Sequence, residues 1–109
     1  MQIINMTPHA LNMITDAGEV IIPPSGIIAR VSVTREQIGT VEVDGAIIPV
    51  NRSVFGSVEG LPEPQPDTYY VVSMLVAQAV PYRNDLLIVD DTVRDEQGRI
   101  IGARAFARV

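Results

Sequence analysis

Two polar clusters in this chain have the residue types that chemistry needs. The first is Asn5-Met6-Thr7-Pro8-His9, three polar side chains around a fixed proline bend. His9 is the sole histidine. It suits a general base, a hydrogen-bond partner for a ligand, or a pH-sensitive group. A plainer role is open: Asn5 and Thr7 would satisfy the bend's own backbone, and His9 would be a half-exposed strand residue. The second cluster is Ser73 with Arg83-Asn84-Asp85. Ser73 would cap a helix, whose first N–H groups lack intrahelical partners and attract anions. Arg83 would fold back toward a phosphate, and Asp85 would accept hydrogen bonds from a ribose or base edge. The alternative is a cap followed by a surface loop.

Further arginines follow. Arg94 and Arg99 flank a turn at Glu96 to Gly98, where cross-strand pairing with Asp95 is the ordinary expectation. Arg104 and Arg108 fall at even spacing on one strand face, out of step with Arg99, so the three form no continuous basic stripe. Asp90-Asp91 offers two adjacent carboxylates to a hard metal. That is too few ligands to specify a site. No phosphate loop, dinucleotide fingerprint, nucleophile elbow, zinc-protease or deaminase signature occurs. No metal or cofactor is expected.

The elements that must hold these residues read mainly as strands. Ile3-Ile4 and Ala10 to Ile14 are strand-like, separated by the Thr7-Pro8 bend. Asp16 to Glu19 is a hairpin turn into Val20-Ile21-Ile22, which Pro23-Pro24-Ser25-Gly26 stops. From Ile27 to Val33 apolar residues alternate, with Ile27, Ala29, Val31 and Val33 on one face. Val41 and Val43 lead into Asp44-Gly45, a favoured two-residue hairpin turn. Ala46 to Val50 returns, and Ser53 to Val58 is a further strand. Glu59 to Asp67, with Pro62, Pro64 and Pro66, is an extended surface connection. Thr68 to Val72 is a β-prone, central run. Met74 to Val80 allows two helical turns before Pro81. Leu86 to Val89 and Arg99 to Arg108 complete the strands. The expected fold is α+β and β-rich, a small mixed sheet or partly closed barrel with one short helix after Thr68–Val72. Its open edges invite pairing with another copy, so a homo-oligomer is expected.

Composition bounds the function. The 109 residues suit one domain, residues 1–109, with a modest core. Hydrophobic content of 47% marks a folded chain rather than a disordered one. The absence of cysteine removes disulfides and thiolate metal sites and points to a reducing cytoplasm. No apolar run is long enough to span a membrane, and no signal peptide is read at the N-terminus. A net charge of −5 argues against general nucleic-acid binding. Yet all eight basic residues are arginine, the side chain whose planar fork fits phosphates and base edges. A GC-rich genome would produce the same bias.

Several stretches together carry a resemblance. These are Asn5-Met6-Thr7-Pro8-His9, Pro23-Pro24-Ser25-Gly26 with Ala29-Arg30-Val31, and Phe55-Gly56 with Gly60-Leu61-Pro62-Glu63-Pro64. Tyr70-Val71-Val72-Ser73 with Val76 to Ala79, and Arg94-Asp95 with Gly98-Arg99-Ile100, extend it over nearly the whole chain. The chain resembles a widespread family of small proteins, of no assigned activity, encoded by bacteriophages and prophages. The resemblance implies a phage accessory protein working in the host bacterial cytoplasm. Such proteins include sponges that bind immune nucleotide signals of the Thoeris and CBASS defences without cleaving them. The expectation is therefore a small nucleotide ligand, ADP-ribose-derived first and a cyclic oligonucleotide second. Candidate ligand-binding residues are Asn5, Thr7, His9, Ser73, Arg83, Asn84, Asp85, Arg94, Arg99 and Arg104, with Tyr69, Tyr82 or Phe106 stacking on adenine. No catalytic residue is expected under this reading. The alternatives are a virion structural or assembly protein, and a small hydrolase of nucleotide signals using His9 with Asp85, Asp90 or Asp91.

Overall fold

A computed structural model describes residues 1–109. Eight strands and one helix form a curled, half-barrel mixed sheet and a separate long hairpin. Strand β1 (Gln2–Asn5) runs parallel to β6 (Thr68–Val71), which runs parallel to β7 (Leu86–Arg94). The β6 to β7 crossover carries the only helix, α1 (Met74–Ala79). Ser73 stands at its N-cap in extended backbone, and its Oγ accepts from the Val76 N–H at 3.3 Å. Strand β7 turns back antiparallel into β8 (Ile100–Ala107). Strand β8 then meets β2 (Leu11–Thr15) in parallel through the pair Met13–Ala103, and β2 forms a hairpin with β3 (Gly18–Ile22).

The core lies where α1 covers this sheet. Val76 and Ala77 on the helix's inner face meet Met6, Ala29, Tyr70, Val72, Leu86 and Ile88. Val31, Val58 and Leu61 close the edge of this cluster, so the base of the long hairpin is tied into it. Burying a side chain such as Val76, which is fully enclosed, contributes about 1.5–3 kcal/mol.

The hairpin differs from the sequence-based expectation. Instead of separate short strands, β4 (Arg30–Val43) and β5 (Ala46–Glu59) are each 14 residues long and pair along their full length. The turn is Asp44-Gly45 as expected, with φ of 50° and 83°. Positive φ at both central residues matches the twist of the flanking strands. Residues 34–40 lack an apolar alternation because both faces of the ribbon's middle are solvated there. A register irregularity beside Ile38 further breaks the period. The alternation from Ile27 to Val33 is also only partly a buried face. Ala29 is buried and Val31 half-buried, whereas Ile27 and Val33 are exposed.

Candidate functional site

The structure gives Asn5 and Thr7 specific work. Asn5 is 1% exposed. Its Nδ2 donates to the carbonyls of His9 at 2.7 Å and Ile22 at 3.2 Å. Its Oδ1 accepts from the Thr7 N–H at 3.0 Å and the Thr7 hydroxyl at 2.6 Å. This one amide fixes the proline bend and ties it to the end of β3. The His9 backbone is thus anchored while its side chain stays exposed.

Arg83 and Asp85 face each other. Arg83 Nε and Nη2 donate to the two carboxylate oxygens of Asp85, each at 2.8 Å, and Nη2 also donates to the Pro62 carbonyl at 3.0 Å. Both side chains are largely buried. The hydrogen bonds from Arg83 hold the Asp85 carboxyl below its ordinary range, against the opposing effect of burial. The same bonds raise Arg83. The pair therefore clamps the proline-rich connection to the start of β7. Asn84 is exposed and, with Asp85, Tyr69 and Arg108, lines a cavity of about 310 Å³. Ser73 is not among its walls, so the two halves of the second cluster do not converge there.

The arginines of the second half mark the β7–β8 hairpin. Asp95 organises the turn: its Oδ1 accepts from the N–H groups of Gln97 and Arg99, both at 2.9 Å. Arg99 returns an exposed ion pair to Asp95 at 3.1 Å, and Arg94 Nη1 donates to the Gly98 carbonyl at 2.7 Å. Arg104 lies 3.6 Å from Asp91 across the same ladder. No group of three or more histidine, cysteine or acidic side chains is placed to hold a metal ion.

His9 lies in a different place from the Arg83–Asp85 clamp. It is one of the residues lining a cleft of about 360 Å³ between β2 and the β7–β8 hairpin. That volume falls at the small end of the range for ligand sites, roughly 300–1,000 Å³. Leu11, Val89, Ile100 and Ile101 supply apolar walls, and no acidic residue lines the cleft. Strands β2 and β8, which both line the cleft, approach closely at Gly102. A Cβ on Gly102 would lie 2.8 Å from the Asn12 carbonyl oxygen, nearer than real contacts allow. Asn12 bridges the two strands, its Nδ2 donating to the Ile101 carbonyl at 3.2 Å. Its Oδ1 is buried and has no hydrogen-bond partner, the sole such side-chain atom in the protein. A buried acceptor left unpaired costs about 1–3 kcal/mol.

The Arg-flanked turn adjoins this cleft. Arg94 is the cross-strand partner of Ile100, a wall residue, and paired residues share one face of a ladder. Arg99 directly precedes Ile100 in the chain. Of the sequence-predicted site residues only His9 lines this cleft; Arg94 and Arg99 stay at the adjoining turn and are not among its walls, and Arg83 and Asp85 sit in their own clamp. Asn12 was missed by sequence reasoning. Its only signal was a polar amide inside the apolar run Leu11 to Ile14, which reads as an ordinary outward-facing residue. Of the aromatic candidates, Tyr82 is exposed while Tyr69 and Phe106 are half-buried, and none lines the cleft.

Comparison with family models, curated proteins and solved structures returned no match for this chain.

Proposed function

We propose that this chain binds a nucleotide-derived signal, with an ADP-ribose type first, and releases it unchanged. The observation that carries this reading is the buried, unpaired Oδ1 of Asn12, a residue that lines an apolar cleft. A purine such as adenine has a flat apolar body for the Ile100, Ile101 and Leu11 walls. Its exocyclic amine offers the N–H donor that Asn12 lacks. His9, which also lines the cleft, supplies a second polar contact to base or ribose. Arg94 and Arg99 stand at the turn end, where charge-assisted hydrogen bonds would take the phosphates. On this reading the ligand lies away from the buried Arg83–Asp85 pair, and the exposed Arg94 and Arg99 would exchange their surface contacts to Gly98, Asp95 and Gln97 for phosphate. The cleft has a histidine but no carboxylate beside it, which favours binding over acid–base hydrolysis.

Native mass spectrometry of the full chain against ADP-ribose derivatives and cyclic oligonucleotides, followed by heat release, tests the reading. The expected result is a retained ligand that emerges intact and is lost in Asn12→Ala. Retention unaffected by Asn12→Ala would move the site elsewhere. A chemically altered product would replace sequestration with catalysis.

A second reading, a virion structural or assembly protein, is favoured by a separate observation. The β4–β5 hairpin projects a largely exposed ribbon with apolar side chains. Co-purification with capsid or tail components, with no small molecule bound, would select it.

A further inference from the structure

We propose that the β4–β5 hairpin is an association arm whose apolar face is covered by a second copy of this chain. The inference is independent of the ligand in the cleft. It begins with size. A compact monomer of 11.8 kDa exposes roughly 5,900 Å², whereas this chain exposes 7614 Å². The excess is about 1,700 Å² per chain, and covering it in a pair falls within the roughly 2,000–5,000 Å² buried by obligate dimers. The radius of gyration agrees. It is 17.5 Å, against about 13 Å for a globular chain of this length.

The hairpin's face shows what covers it. By register, Val41 faces Ile48, Val43 faces Ala46, and Gly39 faces Val50, so these residues share one side of the ribbon tip. Val41, Val43 and Ile48 are 50%, 52% and 45% exposed. A two-stranded ribbon is marginal in water without a third strand or a packed face. Between Arg30 and Glu59 the hairpin has three arginines and four carboxylates, so it carries −1 of the chain's −5. Further along the same face of β5, Arg52 is paired with Glu36 at 2.9 Å. The arm is therefore the nearly neutral part of an acidic molecule, with both signs balanced below an apolar tip. Such a surface complements itself, because two copies packed in opposite directions meet without net repulsion. A strongly charged foreign partner would find no opposite field on it.

Sedimentation velocity of the full chain across micromolar concentrations tests this. Wild type is expected at a dimer or higher mass, and Val41→Asp with Ile48→Asp to weaken association at least about 100-fold. Both positions are solvent-exposed in the single chain, so far-UV circular dichroism of the variant should match wild type. Val20→Asp, on the exposed edge strand β3, should leave the assembly intact. Hydrogen exchange on unmodified protein gives a second readout: amides of residues 38–50 should gain protection as concentration rises. A wild-type monomer throughout, or an assembly dispersed by Val20→Asp but not by the paired arm variant, would overturn the proposal.

Discussion

The polar side chains fall into those that hold the fold and one that is left unsatisfied. Asn5 and Arg83–Asp85 belong to the first kind. Removing one member of a buried ion pair strands the other, at a cost of about 3–5 kcal/mol. Asp85→Asn is therefore expected to destabilise the protein by about 3 kcal/mol at neutral pH, measured by chemical denaturation. The pH dependence has a definite sign. Asp85 is held below its ordinary value of 3.8, so its stabilising contribution is complete above that value. It is lost as pH falls through the lower, folded value. The stability gap between wild type and Asp85→Asn should narrow on acidification below 3.8; a gap that widened there would contradict the assignment. Asn12 is the second kind. Its Oδ1 is unpaired in the free protein, so Asn12→Leu should cost little stability while abolishing ligand retention. A large loss of stability with ligand binding preserved would make Asn12 a purely structural bridge.

The elements were legible wherever local chemistry dictated them. Asp44-Gly45 specified its turn because both central residues take positive φ. Gly45→Val should therefore cost about 1–2 kcal/mol, read as a lower denaturation midpoint. Ser73 and Pro81 bracketed α1, and the β-prone run from Thr68 gave β6. The length of the hairpin was hidden. Its middle has no buried face, so Thr34 to Thr40 carries no hydrophobic period to read. The cleft was hidden for a different reason. It depends on the parallel approach of β2 to β8, between residues about ninety positions apart. The tight fit at Gly102 yields a prediction for this junction. Gly102→Val should push β2 away from β8, lowering stability and ligand retention together. Unchanged stability would show that the junction yields without strain. The two polar clusters were visible from residue type alone, but only three-dimensional pairing separates the Arg83–Asp85 clamp from the cleft that His9 lines.

At the scale of the whole molecule, a small helix-covered sheet supports two outward features, a cleft at one junction and a long arm. With 15 of 109 residues buried, the core has little to spare, and much of the apolar surface remains on the arm. Assembly through that arm would multiply the clefts in one particle, so each copy could hold one ligand at close spacing. No helix is long and apolar enough to cross a membrane. The central claim is that the Asn12 cleft holds a nucleotide ligand without changing it. The most direct test is native mass spectrometry of wild type and Asn12→Ala with ADP-ribose derivatives, followed by heat release and analysis of the freed molecule. The account predicts an intact ligand on wild type, absent from the variant. No retained ligand on wild type from any member of the panel, with the panel chemically unchanged, would contradict it and leave the arm as the working surface of the protein.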